Sequence, residues 1–194
     1  MRALQANYSY KRECTSKYGE EVGLKIWETT NQIFDKLPVA AVVDDAIYCA
    51  HGGIPRSAST IAALNALRKE LPNPEVDAAA AWEILWSDPC HAQQFNEICN
   101  YRGLNPATTG GYVFNIRRGT AFLFNEVGAN GFLAANGLTH IVRAHEVPQR
   151  GYTFHFGNKC VTIFSCRCLF VCLRFSLIVT DFDFSTTRQP LLRQ

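Results

Sequence analysis

The sequence predicts a mixed α/β fold, and three observations carry that expectation. Apolar residues recur at helical spacing across residues 5–36. Short β-type runs cluster late, at Leu138–Val142, Gly151–Phe156 and Cys160–Ser165. Glycine and proline punctuate the stretches between. The late runs predict a largely antiparallel sheet flanked by helices. With 194 residues, 47% apolar and 19% charged, the chain is long enough for one real core.

The elements follow in order. Tyr10, Cys14, Tyr18, Ile26, Trp27, Ile33 and Phe34 mark the first helix, interrupted near Gly19–Gly23 and ended by Pro38. Val39–Val43 and Ala46–Ala50 flank Asp44-Asp45, which predicts a β-hairpin. Ser57–Leu71 is expected to be a second helix, with Ser57 or Ser59 as cap and Ile61, Leu64, Leu67 and Leu71 as its apolar stripe. Residues 77–86 form a short helical piece leading into Leu85-Trp86-Ser87-Asp88-Pro89, and 90–116 is expected to be a long loop. Ala121–Asn136 is expected to be a third helix, stopped by Gly137. From residue 166 the character changes to an apolar, cysteine-rich tail that ends polar.

Charge and cysteine usage narrow the function. A net charge of +2 with both signs scattered lacks the clustered basic footprint of nucleic-acid binding. No run is long enough to span a bilayer, because Arg174 interrupts Cys168–Val179. The charges and cysteines of that run fit a tail better than a membrane-associating segment. The first residues are polar and show no secretory signal. Of eight cysteines, Cys160, Cys166, Cys168 and Cys172 cluster without zinc-finger spacing.

The chemistry sits at two strand ends. His51 closes a strand before Gly52-Gly53, and His145 closes another two residues after Arg143. Neutral imidazole suits zinc, manganese or iron. Arginine suits phosphate, because its guanidinium is permanently charged and forks two hydrogen bonds. Arg143 shares a strand face with His145. Arg118, before Gly119, is expected at the entry to a helix. A two-metal centre also needs a bridging carboxylate. Asp44 and Asp45 read as turn residues, Asp88 as a polar anchor, Glu146 as facing away and Arg117 as surface.

Six motifs occur in the order of one family: Leu37–Val43, Cys49-Ala50-His51-Gly52-Gly53, Leu85–Pro89, Arg118-Gly119, Arg143-Ala144-His145 and Thr162–Ser165. Over residues 5–165 the chain resembles the PPP family of serine/threonine protein phosphatases, within the metallophosphoesterase superfamily. The resemblance implies a metallophosphoesterase β-sandwich flanked by helices. It also implies two divalent ions (manganese, iron or zinc) that activate a water against phosphoserine or phosphothreonine. His51 and His145 match ligands of the second metal, and Arg118 and Arg143 the late phosphate-binding residues. Asp88 matches an acidic residue beside the cleft, with Trp86 as its packing neighbour.

The departures define the expectation further. The early motifs are absent, Arg117 replaces an acidic residue, and Cys166–Phe170 replaces a loop over the active site. Residues 1–165 are therefore expected to be a C-terminal part of the catalytic domain, and 166–194 a divergent tail. A truncated or misspliced reading frame would give that pattern. The chain then supplies at most one partial metal site and is expected to be inactive alone. The alternative is a non-catalytic binding or regulatory fragment. Expected partners are phosphoprotein substrates and phosphatase regulatory subunits, with no nucleic acid and no membrane, in cytoplasm or nucleus.

Overall fold

In a computed structural model of the protein, the described residues are Arg2, Gln5, 9–68 and 70–164. The expected tail, with Cys166, Cys168 and Cys172, lies outside them. The first helical stretch is two helices, α1 (Tyr10–Tyr18) and α2 (Glu20–Phe34). Gly19 divides them at φ 80°, a left-handed conformation that glycine adopts without steric penalty.

The hairpin forms as expected. β1 (Ala40–Val43) pairs antiparallel with β2 (Ile47–Ala50), Val43 opposite Ile47. Asp44 and Asp45 take φ of 52° and 51°, the left-handed pair of a tight hairpin turn. The Ala46 N–H closes the turn on the Val43 carbonyl at 3.1 Å.

Among its described residues, the segment 57–71 is helical only at α3 (Ile61–Asn65), capped by Thr60 Oγ1 accepting from the Ala63 N–H. Further on, the Leu71 N–H bonds the Asp35 carbonyl at 3.0 Å, a tie to the end of α2 that a continuing helix could not make. Two short helices follow, α4 (Pro74–Asp77) and α5 (Ala79–Trp86). After β3 (Asp88–Pro89), the expected loop 90–116 instead contains α6 (Ala92–Tyr101) and β4 (Tyr112–Phe114). Phe95 and Cys99, one helical turn apart, are fully buried and hold α6 down.

The expected helix from Ala121 is a strand and then a helix: β5 (Phe122–Phe124) and α7 (Glu126–Asn136). Asn125 Oδ1 separates them by accepting from the Val127 and Gly128 N–H groups, and Gly137 at φ 65° ends α7. The remaining strands are β6 (His140–Arg143), β7 (Tyr152–His155) and β8 (Cys160–Ile163).

Two sheets result, ordered β1-β2-β6-β8-β7 and β3-β5-β4. The centre of the larger sheet is parallel (β2 with β6, β6 with β8), and the antiparallel pairings lie at its edges. The late strands are thus mixed rather than largely antiparallel. β7 folds back on β8 from outside and leaves β6 and β8 side by side. Tyr48, Ile141 and Cys160 of the large sheet pack with Phe124 of β5 and with Ala129, Phe132 and Leu133 of α7. Each fully buried large apolar side chain contributes roughly 1.5–3 kcal/mol. This core fixes the carboxyl ends of β2 and β6 side by side.

Candidate functional site

The chain leaves β2 at His51-Gly52-Gly53. The Gly52 and Gly53 N–H groups both donate to the Ile84 carbonyl, at 2.8 and 3.0 Å, and so dock the strand end onto α5. A Cβ on Gly52 would lie 2.7 Å from backbone atoms of Ile84 and Leu85, so only glycine allows this approach. Beside it, β6 ends at Arg143, and the Ala144 N–H donates to the His51 carbonyl at 2.9 Å. His145 then takes φ 62°, a left-handed conformation that swings its ring toward His51. The two ring centroids are 4.9 Å apart, and the Trp86 ring meets His145 edge-on at 5.3 Å.

Asp88 lies fully buried under these rings. Its carboxylate accepts from Arg143 Nη2 at 2.7 Å, Asn115 Nδ2 at 2.9 Å, Arg118 Nε at 3.0 Å and Arg117 Nη2 at 3.2 Å. His145 Nδ1 lies 3.4 Å from Asp88 Oδ1, an electrostatic contact without hydrogen-bond alignment. Burial alone would raise the Asp88 pKa. The His145 and Arg118 contacts and the Arg143 charge outweigh it and hold the carboxyl well below the usual carboxylate range. Burial lowers the His51 pKa first, and His145, Arg143 and Arg118 lower it further. His51 is therefore neutral near pH 7, with a lone pair to offer.

Arg143 is the centre of the assembly, with a side chain that is 0% exposed. Its five N–H groups make five bonds: Nε to the Gly52 carbonyl, Nη1 to Glu146 Oε2 and Thr162 Oγ1, Nη2 to the Ser87 carbonyl and Asp88 Oδ1. It holds four separate segments, with all its donors engaged by the protein itself. Arg118 sits in the turn Asn115–Gly119 between β4 and β5, not at a helix entry. Its side chain is 25% exposed, and Nη1 has no partner among the described residues.

Two residues that the sequence marks as uninvolved belong to the site. Glu146, expected to face away, accepts from Arg143 Nη1 at 3.0 Å and from Arg117 Nη2 at 2.5 Å. The strand has ended by then, and the left-handed turn at His145 undoes the alternation on which that expectation relies. Arg117 is 58% exposed, yet it reaches both Asp88 and Glu146. Ser87, Asn115 and the Gly52 carbonyl complete the network; of these only Asn115 lies outside the sequence motifs.

The metal expectation meets a limit here. The two imidazoles could give at most one nitrogen each to one ion. Among the described residues no group of three or more His, Cys, Asp or Glu side chains is placed to hold a metal. Asp88 has both oxygens taken by donors, so it is no bridging ligand. Asp44 and Asp45 sit in the hairpin turn, at the other end of β2 from His51. A two-metal centre is not completed within these residues, although His51 and His145 fit part of one.

Comparison with known proteins gives a consistent answer. A family profile described as calcineurin-like phosphoesterase matches residues 7–149. The chain is 33% identical over 166 residues to a protein phosphatase 2A catalytic subunit of Dictyostelium discoideum, an alignment covering 84% of this chain and 46% of the relative. It is 30% identical to the serine/threonine-protein phosphatase PP2A-like PPG1 of Saccharomyces cerevisiae, over 84% of this chain and 42% of that one. Its structure is similar to that of a Saccharomyces cerevisiae protein serine/threonine phosphatase with similarity to human phosphatase PP5. There the TM-score is 0.61 at 25% identity, over 81% of this chain and 42% of the other. The chain thus spans less than half the length of these relatives.

Proposed function

Because the chain belongs to the calcineurin-like phosphoesterase family, we propose that it is part of a serine/threonine protein phosphatase catalytic domain. The observation that supports this most is the convergence of His51, His145, Arg118 and Asp88 at the ends of β2 and β6. The substrates proposed are phosphoserine and phosphothreonine in proteins, as the names of its relatives suggest.

The roles follow from the contacts. His51 and His145 are the proposed metal ligands, toward manganese, iron or zinc. Arg118 presents its free Nη1 to a phosphoryl oxygen. Asp88 fixes the Arg118 guanidinium through Nε, and Arg143 positions Asp88 and the strand-end loops. In a complete centre, metal ions activate water against phosphorus. The bridging carboxylate that step requires is not among the described residues, so no hydrolytic step is assigned to this chain alone. Phosphatase regulatory subunits, a cytoplasmic or nuclear location, and the absence of nucleic-acid and membrane partners belong to the same proposal.

Titrating the purified chain with a phosphoserine peptide and manganese tests this reading. The expected result is binding that Arg118→Ala weakens, with no turnover. Robust turnover abolished by His51→Ala would show a complete catalytic centre and overturn the inactive assignment. The second reading, a non-catalytic binding or regulatory fragment, is favoured by the two-ligand limit at His51 and His145. Calorimetry separates the two: one weak metal or none supports the fragment, two tightly bound metals the enzyme.

A further inference from the structure

We infer that Glu146 is an internal stand-in for an incoming oxyanion: its carboxylate fills an anion subsite between Arg117 and Arg143, and a phosphate group enters by displacing it. The two Glu146 oxygens are shared between different guanidiniums, Oε1 to Arg117 Nη2 at 2.5 Å and Oε2 to Arg143 Nη1 at 3.0 Å. A tetrahedral phosphate presents two oxygens to the same two donors.

Exchangeability decides why Glu146 is the group that leaves. Of the five acceptors around Arg143, two are backbone carbonyls of Gly52 and Ser87, and two are the buried side chains of Asp88 and Thr162. Glu146 is the remaining one. Its side chain is 26% exposed, on the loop beyond β6 where Val147 is 72% exposed. Rotating that carboxylate into water leaves it solvated, whereas moving Asp88 would unpair a buried charge.

Charge balance points to the class of ligand. Arg117, Arg118 and Arg143 bring three positive charges, against two negative from Asp88 and Glu146. With Glu146 withdrawn, two positive charges are left unbalanced, which matches the dianion of a phosphate monoester or inorganic phosphate. Arg117 spends only Nη2 on described residues, so its Nε and Nη1 are ready donors for further oxygens. Arg117 thereby becomes a specificity-determining residue and Glu146 the gate. The inference rests on the proposed phosphate-binding role of this cleft.

Calorimetric titration of the full chain with inorganic phosphate tests it, in parallel with a phosphoserine peptide and its unphosphorylated counterpart. Glu146→Gln is expected to bind phosphate about tenfold more tightly, the scale of one charge-assisted pair. Adding Arg117→Ala is expected to remove that gain. Glu97→Gln, on an exposed face of α6, controls for net charge. Equal or weaker phosphate binding by Glu146→Gln overturns the gate, as does an equal gain in Glu97→Gln. If Glu146→Gln does not fold, Arg117→Ala alone decides, and phosphate binding unchanged by that exposed substitution overturns the subsite. A phosphate gain without preference for the phosphorylated peptide supports the gate and sinks the phosphoprotein reading. Peptide preference without a phosphate gain does the reverse.

Discussion

The carboxyl ends of β2 and β6 and the flank made by β1 with the end of α2 are built on opposite terms. At the strand ends, buried charges are matched: Asp88 by three arginines and an asparagine, Arg143 by five acceptors. On the flank, apolar side chains face solvent. Phe34, Leu37, Val42 and Val43 are each more than a third exposed, and β1 is an edge strand whose only pairing among the described residues is with β2. The polar region needs little more than these residues to be well formed. The apolar one has the character of a face that suits a cover. Polarity is thus a poor guide to which part of this molecule is self-sufficient.

Removing a charge from the polar region tests that contrast hardest. Asp88→Asn leaves Arg143 buried beside a neutral amide and is expected to destabilise by about 3–5 kcal/mol in urea unfolding. A loss below about 1 kcal/mol would mean that the arginines do not depend on this carboxylate, and the contrast would fail.

Acid gives an effect of intermediate size. His155 Nε2 shares Thr162 Oγ1 with Arg143, at 2.9 Å. Burial, helped by the charges of His91 and Arg143, lowers its pKa to about 4. A base whose folded pKa is depressed takes up protons on unfolding, so its stabilising contribution is full above about pH 6.5 and is lost as pH falls toward 4. The urea midpoint is expected to drop between pH 7 and pH 4.5, with up to about 3 kcal/mol at stake, and His155→Gln to flatten the drop. A midpoint independent of pH in that range would remove His155 from the polar network.

The smallest effect belongs to the flank. Val43→Lys on β1 is expected to change stability by no more than about 0.5 kcal/mol while reducing self-association in sedimentation velocity. A large stability loss would show that Val43 is already part of a core.

Much of the helical and strand content is legible in the sequence, because His51, the Asp44-Asp45 turn and the late β runs carry local signals. The differences share one cause, which is that long-range contacts decide. Phe122–Phe124 has no local feature that forbids helix, and becomes strand because β4 and β3 bracket it. Residues after Asn65 keep an apolar stripe but are drawn off by Asp35. At the site, local signals mark His51, His145, Arg118, Arg143 and Asp88, and the structure brings them together. No such signal marks Arg117 and Glu146, because a turn arginine and a post-strand glutamate look solvated until the left-handed residue at His145 redirects the chain.

The saturation of Arg143 also has a kinetic meaning. Its bonds to Gly52, Ser87, Asp88 and Thr162 span 91, 56, 55 and 19 residues of sequence. Contacts that close loops of that size form late, because loop-closure entropy must be met before they are rewarded. The cluster is therefore expected to act as a latch rather than a nucleus. Weakening it speeds escape from the native state and leaves the rate of reaching that state nearly untouched.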